Sequence, residues 1–252
     1  VVGSILKENG TGSNDIRVGD DATMDITGLV ENLGNVKVDD DARLYILSGV
    51  SDASSEVSAE DVDQDQSFNV GMDSKVLVNG SLDFKGGKDS VIIGAESEMA
   101  VLGDLKGVDS LNLISGSSGD DSGIVVDGDY AANEDNSIVV GNYRTLDIAG
   151  AVLNEGSSSS TIRVGIGSGF TAASVNGLAG LIIGKSGEVG IAGAVEGTDI
   201  ANRISAGNES SFIAGDIDLM DGNDSIVIGA GSLFSAGDIS NVETLTIGAE
   251  SQ

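Results

Sequence analysis

The chain has 252 residues, 41 of them acidic against 12 basic, for a formal net charge of −29. That charge repels nucleic-acid backbones and anionic membrane surfaces, and no apolar run approaches the roughly 20 residues of a bilayer-spanning helix. Histidine and cysteine are absent, which removes disulfides, thiolate metal sites and the commonest catalytic bases and nucleophiles.

Taken in order, the chain repeats one short unit, an apolar-x-apolar run closed by a turn residue. It first reads Ile16-Arg17-Val18-Gly19, then Val36-Lys37-Val38-Asp39, Phe68-Asn69-Val70-Gly71 and Val91-Ile92-Ile93-Gly94. Leu111-Asn112-Leu113-Ile114 lacks the glycine, and Ile138, Ile162, Leu181, Ile204, Ile226 and Leu245 open the remaining units. Such a repeat has to be settled before any other reading. Five residues after the turn residue stand Met24, Leu44, Val76, Met99, Leu146, Phe170, Val189, Phe212 and Phe234. Seven after it stand Ile26, Ile46, Val78, Val101, Ile148, Ala172, Ile191, Ala214 and Ala236. The period of two predicts a strand with one buried face. A Gly or Ser and one more apolar position follow, among them Leu82, Leu105, Val152, Val195 and Ile217.

Coils of 19–25 residues, longer where insertions fall, with two or three short strands each, predict an all-β parallel β-solenoid of about eleven coils. The usual crossover preference makes it right-handed. The 38 glycines serve turns, and the absence of proline leaves every ladder donor in place. A helix is excluded by the period and by a glycine every few residues. A sandwich of hairpins would not return the same side-chain type to the same offset in nine coils. A longer period overlies the first: residues 1–252 form a single solenoid domain of about three and a half three-coil copies starting near 16, 91, 162 and 226. Insertions at 51–66, 115–123 and 197–202 read as solvated loops.

Two features suggest chemistry. Asp216, Asp218, Asp221 and Asp224 are the richest of several acidic clusters, and oxygen ligands at such spacing suit a hard cation such as Ca²⁺. No cofactor is required, and the competing reading takes Asp and Asn simply as turn formers. Catalysis is disfavoured, since three tyrosines at unrelated offsets and no tryptophan make a poor sugar-stacking groove. Threonine recurs at no single offset, so an ice-binding threonine ladder is excluded too.

Gly222-Asn223-Asp224-Ser225-Ile226 and Gly86-Gly87-Lys88-Asp89-Ser90-Val91 resemble half of the calcium-binding nonapeptide of bacterial RTX proteins. Here the motif comes about once per three coils, so the family's calcium ladder does not carry over. The segment Ile239-Ser240-Asn241-Val242-Glu243-Thr244-Leu245-Thr246-Ile247 is similar to repeats of large secreted bacterial adhesins and surface-layer proteins. That resemblance implies an extracellular or cell-surface bacterial protein with a structural or adhesive role.

The ends suggest how such a protein assembles. Leu245, Ile247 and Gly248 open a coil that stops at Gln252, four residues past its turn glycine. Val1, Val2, Ile5 and Leu6 form an apolar start without a turn unit, and no leader segment is legible, as expected of a mature or excised piece. Set end to end, the two termini parallel Gly94 to Lys106, two residues shorter. The expectation is a self-assembling building block of a filament, surface layer or matrix, whose partners are other copies joined head to tail. The alternative is the rod-like stalk of a calcium-dependent adhesin, with both ends cut from a longer tandem chain.

Overall fold

The computed structural model describes residues 2, 14–28, 30, 33–47, 56–58, 65–84, 87–119, 122–132, 135–154 and 159–252. It is a parallel β-solenoid, with three sheets of eleven, ten and nine strands among the described residues. The chain visits them in rotation, as in Asp89–Ile93, Glu98–Val101 and Leu105–Lys106, before returning to the first sheet at Val108–Leu113. Every strand pairing is parallel, each strand lying on its counterpart one coil away; Val101, for example, pairs with Val78 on one side and Val126 on the other. The eleven expected coils are eleven rungs of the first sheet, but only about nine turns pass through all three sheets among the described residues.

The inward-facing ladders are those of the sequence pattern. Leu44, Val76, Met99, Leu146, Phe170, Val189 and Phe212 are buried on the second sheet, as are Ile46, Val78, Val101 and Ile148. The coil opened by Leu111, which lacks the turn glycine, still fills both ladders with Ile124 and Val126. Leu82, Leu105, Tyr130, Val152, Val175, Val195 and Ile217 close the third side. Side chains in thin aliphatic layers bury their surface only against the coils above and below, so cohesion is local.

Polar groups inside the corners are paired along the rod axis. At the corner between the first and second sheets, the residue two past the turn position is left-handed at Asp21, Asp41, Asp73, Glu96, Tyr143, Ser186 and Glu209. At Asp21, Asp41, Asp73, Tyr143, Ser186 and Glu209 the N–H donates to the next coil, as Tyr143 N does to Ile166 O at 3.0 Å. One residue further on lies an internal serine row. Ser97 Oγ donates to Gly71 O at 2.6 Å, Ser168 Oγ to Gly141 O at 2.6 Å and Ser232 Oγ to Gly207 O at 2.8 Å. The carbonyl at the turn position faces inward and takes its donor from the following coil.

Arg144 replaces serine in this row, and it is fully buried. The coil before it is longer between Ile114 and Ser122 than its neighbours are at this corner. Arg144 spans the gap. Nη1 donates to Ile114 O at 3.0 Å and, one coil further, to Gly94 O at 2.6 Å. Nη2 reaches Ser97 O at 2.7 Å and Nε reaches Ser122 O at 3.0 Å. One guanidinium thus does the work of two serines.

The insertion at 197–202, expected to be a solvated loop, turns its last residue inward. Asn202 is buried, and its Nδ2 lies within hydrogen-bond distance of Thr198 O, Ile200 O and Leu219 O. Most of 51–66 and residues 120–121 of 115–123 lie outside the described residues.

At the corner between the second and third sheets a Gly-Asp pair recurs. Asp129 N donates to Asp104 Oδ1 at 3.0 Å, Ala151 N to Asp129 Oδ1 at 2.8 Å and Asp238 N to Asp216 Oδ1 at 2.9 Å. The glycine is needed for close approach, because a Cβ on Gly128 would sit 2.1 Å from Asp104 Oδ1 and 2.8 Å from Asp104 N. Gly128→Ala is therefore expected to cost about 1–3 kcal/mol through forced coil separation. Denaturant melts check this; an unchanged midpoint would mean the coils do not stack this closely.

Candidate functional site: the exposed coil edge

The four carboxylates suggested for calcium sit at different places on the coil. Asp216 belongs to the Gly-Asp corner just described, with Oδ1 holding Asp238 N. Asp218 Oδ1 accepts from Asn241 Nδ2 at 2.7 Å and Met220 N at 3.1 Å; these bonds, the Asn241 one foremost, hold its carboxyl below the usual range. Asp221 is exposed. Asp224 is buried at the corner between the third and first sheets, where Oδ1 accepts Asn202 N at 2.6 Å. Among the described residues no three acidic side chains are grouped so as to hold a metal ion. Asp216 and Asp224 take backbone N–H groups from neighbouring coils, and Asp218 takes Asn241 from the neighbouring coil and Met220 N from its own, so these side chains serve as acceptors within the rod.

The expected assembly residues do share one property, where they are described. Leu245 and Ile247 lie on Thr244–Ile247, the edge strand of the first sheet, in register with Ile226 and Ile228 of the strand before. Ile226 and Ile228 are 0% and 2% exposed; Leu245 and Ile247 are 48% and 51% exposed. The same inward positions thus lose their cover at this edge. Gly248 continues the turn-glycine column; a Cβ there would come within 2.6 Å of Ala230 N. Leu233 and Ile239 are exposed on the other two sheets of this end, and Phe234 stacks on Phe212 with ring centroids 5.7 Å apart. Gln252 already starts the next rung of the second sheet, donating from N to Ser232 O at 3.0 Å and accepting from Phe234 N at 2.9 Å.

No family model matches the chain, and no curated protein or solved structure does either.

At the opposite end, Val2 is exposed and forms a parallel bridge with Ile26. Its N donates to Asp25 O at 2.7 Å, and its carbonyl accepts from Thr27 N at 3.0 Å. Val2 therefore lies in register with Ile26, which is seven places past Gly19, and Gln252 is four places past Gly248. Val1, Ile5 and Leu6 lie outside the described residues. The two ends share the sheet geometry and the ladder positions of the interior.

Proposed function

We propose that this chain is a structural rod, a secreted building block of a filament, surface layer or matrix, which lengthens by coil-on-coil stacking at its ends. The observation that carries this reading is the edge strand Thr244–Ile247, whose inward positions are half exposed while their counterparts one coil back are buried. An uncovered strand edge over an open apolar layer is a template for another strand. Contact between unlike ends does not close on itself, so repetition gives a filament. The extracellular bacterial setting rests on the resemblance read from the repeat sequence alone.

The test is the length distribution of the purified chain by electron microscopy and sedimentation as concentration is raised. Rods several monomers long are expected, and both Leu245→Asp with Ile247→Asp and deletion of Val1 to Leu6 are expected to leave single rods with unchanged circular dichroism. A wild-type chain that stays monomeric at high concentration would sink self-assembly and leave a spacer whose edge is covered by further chain.

A further inference from the structure

Asp89 opens Asp89–Ile93 at the corner between the third and first sheets, and is 1% exposed. Its Oδ1 accepts Gln66 N from the coil before at 2.7 Å, and its own N donates to Asp109 Oδ2 of the coil after at 2.9 Å. Asp65, beside Gln66, takes Lys88 N at 2.9 Å. Three successive coils thus bring three carboxyl groups to one corner. Asp89 Oδ2 is buried without a hydrogen-bond partner, and so is Oε1 of Gln66, itself 5% exposed. Two buried acceptors facing one corner with no donor are costly. A proton on one of them turns it into the donor the other lacks.

A second corner is built alike and also leaves one carboxylate oxygen, Asp224 Oδ2, buried without a partner, but its amide neighbour is turned differently. Asp224 also takes an N–H on Oδ1, from Asn202, and gives its own N–H to Glu243 Oε2 at 2.6 Å. There the amide side chain turns its nitrogen to the carboxylate, Asn202 Nδ2 lying 3.1 Å from Oδ1. At Gln66 it is the amide oxygen that is buried without a partner.

We propose that Asp89 is a proton-carrying acid in the folded rod, its Oδ2–H donating across the coil boundary to Gln66 Oε1, so that the stacking of these coils is locked by a proton and loosens when it is lost. The charged or titratable groups around it among the described residues are Asp65 and Lys88 on one side and Asp109 on the other. Beyond Asp109 lies Tyr130, whose buried hydroxyl donates to Val108 O at 2.6 Å. Burial pushes the Asp89 carboxyl up to about 7 against the pull of the Gln66 N–H, and the negative charges of Asp109 and Asp65 push the same way as burial. The folded chain then binds this proton more tightly than the unfolded one, whose aspartates titrate near 4. The contribution of this group to stability is whole below about pH 4, is lost as pH rises through about 7, and is gone above that. The lock is separate from end-to-end assembly.

The chain has no histidine or cysteine, so, the terminal amine aside, no side chain with an ordinary pKa titrates between about pH 5.5 and 8. Melting of the full chain across that window is the test. The wild-type melting temperature is expected to fall by roughly 5 °C, while Asp89→Asn, which keeps a donor in place of the acid proton, should melt at one temperature throughout. Asp109→Asn should move the wild-type midpoint to lower pH; a midpoint it leaves unmoved would overturn the proposal even if Asp89→Asn did not fold. A wild-type curve flat across the window would also overturn it, as for a Gln66 amide rotated to hold the anion. So would a melting temperature at pH 8 that EDTA lowers and calcium restores in the wild type alone, which would put a cation where the proton is proposed.

Discussion

Replacing Arg144 by alanine is expected to cost about 4 kcal/mol or more, among the largest effects of any single change in the rod. The substitution removes a donor from four carbonyls, Gly94, Ser97, Ile114 and Ser122, of which Ser122 O keeps Thr145 N, and opens a void where a fully buried side chain stood. Each buried acceptor left without a partner costs about 1–3 kcal/mol, and the sum is reduced by whatever water enters. Arg144→Met keeps most of the bulk but none of the donors, so it should fall nearly as far. Since neighbouring coils support one another and distant ones do not, the damage is expected to be local. Hydrogen exchange should quicken in residues 94–123 and 142–147 while Arg203–Ala206 and Ser225–Ile228 stay protected. Equal protection of residues 94–123 in wild type and Arg144→Ala would show that the guanidinium does not hold the irregular coil.

Val101→Asp is the second large change, and it has a built-in control. Val101 is fully buried between Val78 and Val126, so a carboxylate there loses its water without gaining a partner, at a cost of several kcal/mol. Val125, on the next strand of the same sheet, points outward and is 44% exposed. Val125→Asp should change stability by less than about 0.5 kcal/mol. Limited proteolysis reads the difference as new cleavage around residue 101 in the first variant and none in the second. Equal sensitivity of the two would mean that the assigned alternation of faces is wrong, since a slip of one residue exchanges them.

The apolar ladders were legible because inward and outward alternation is a local property of a strand. Met99 and Val101 stand two apart in the chain and necessarily share a face, and the recurrence of such pairs at fixed distances from a glycine identifies the coil. The coil opened by Leu111 was harder to read because its turn glycine is missing, yet Ile124 and Val126 show that the ladder position tolerates a lengthened corner. The turn acids were legible as turn formers but not by partner. Asp216 and Asp224 are eight residues apart and look like one cluster, whereas the chain crosses the third sheet between them and each sits at a different corner with a different neighbour.

The sequence by itself determined the parallel solenoid, its inward rows and the chemistry it excludes, because these follow from short-range periodicity and composition. Only the tertiary structure decided which polar groups meet, because each corner acceptor takes its donor from a coil roughly 20 to 50 residues away. Arg144 in place of a corner serine, Asn202 turned inward and Asp89 facing Gln66 were invisible for that reason. Spacing along the chain sets which face a residue occupies; stacking sets what it touches.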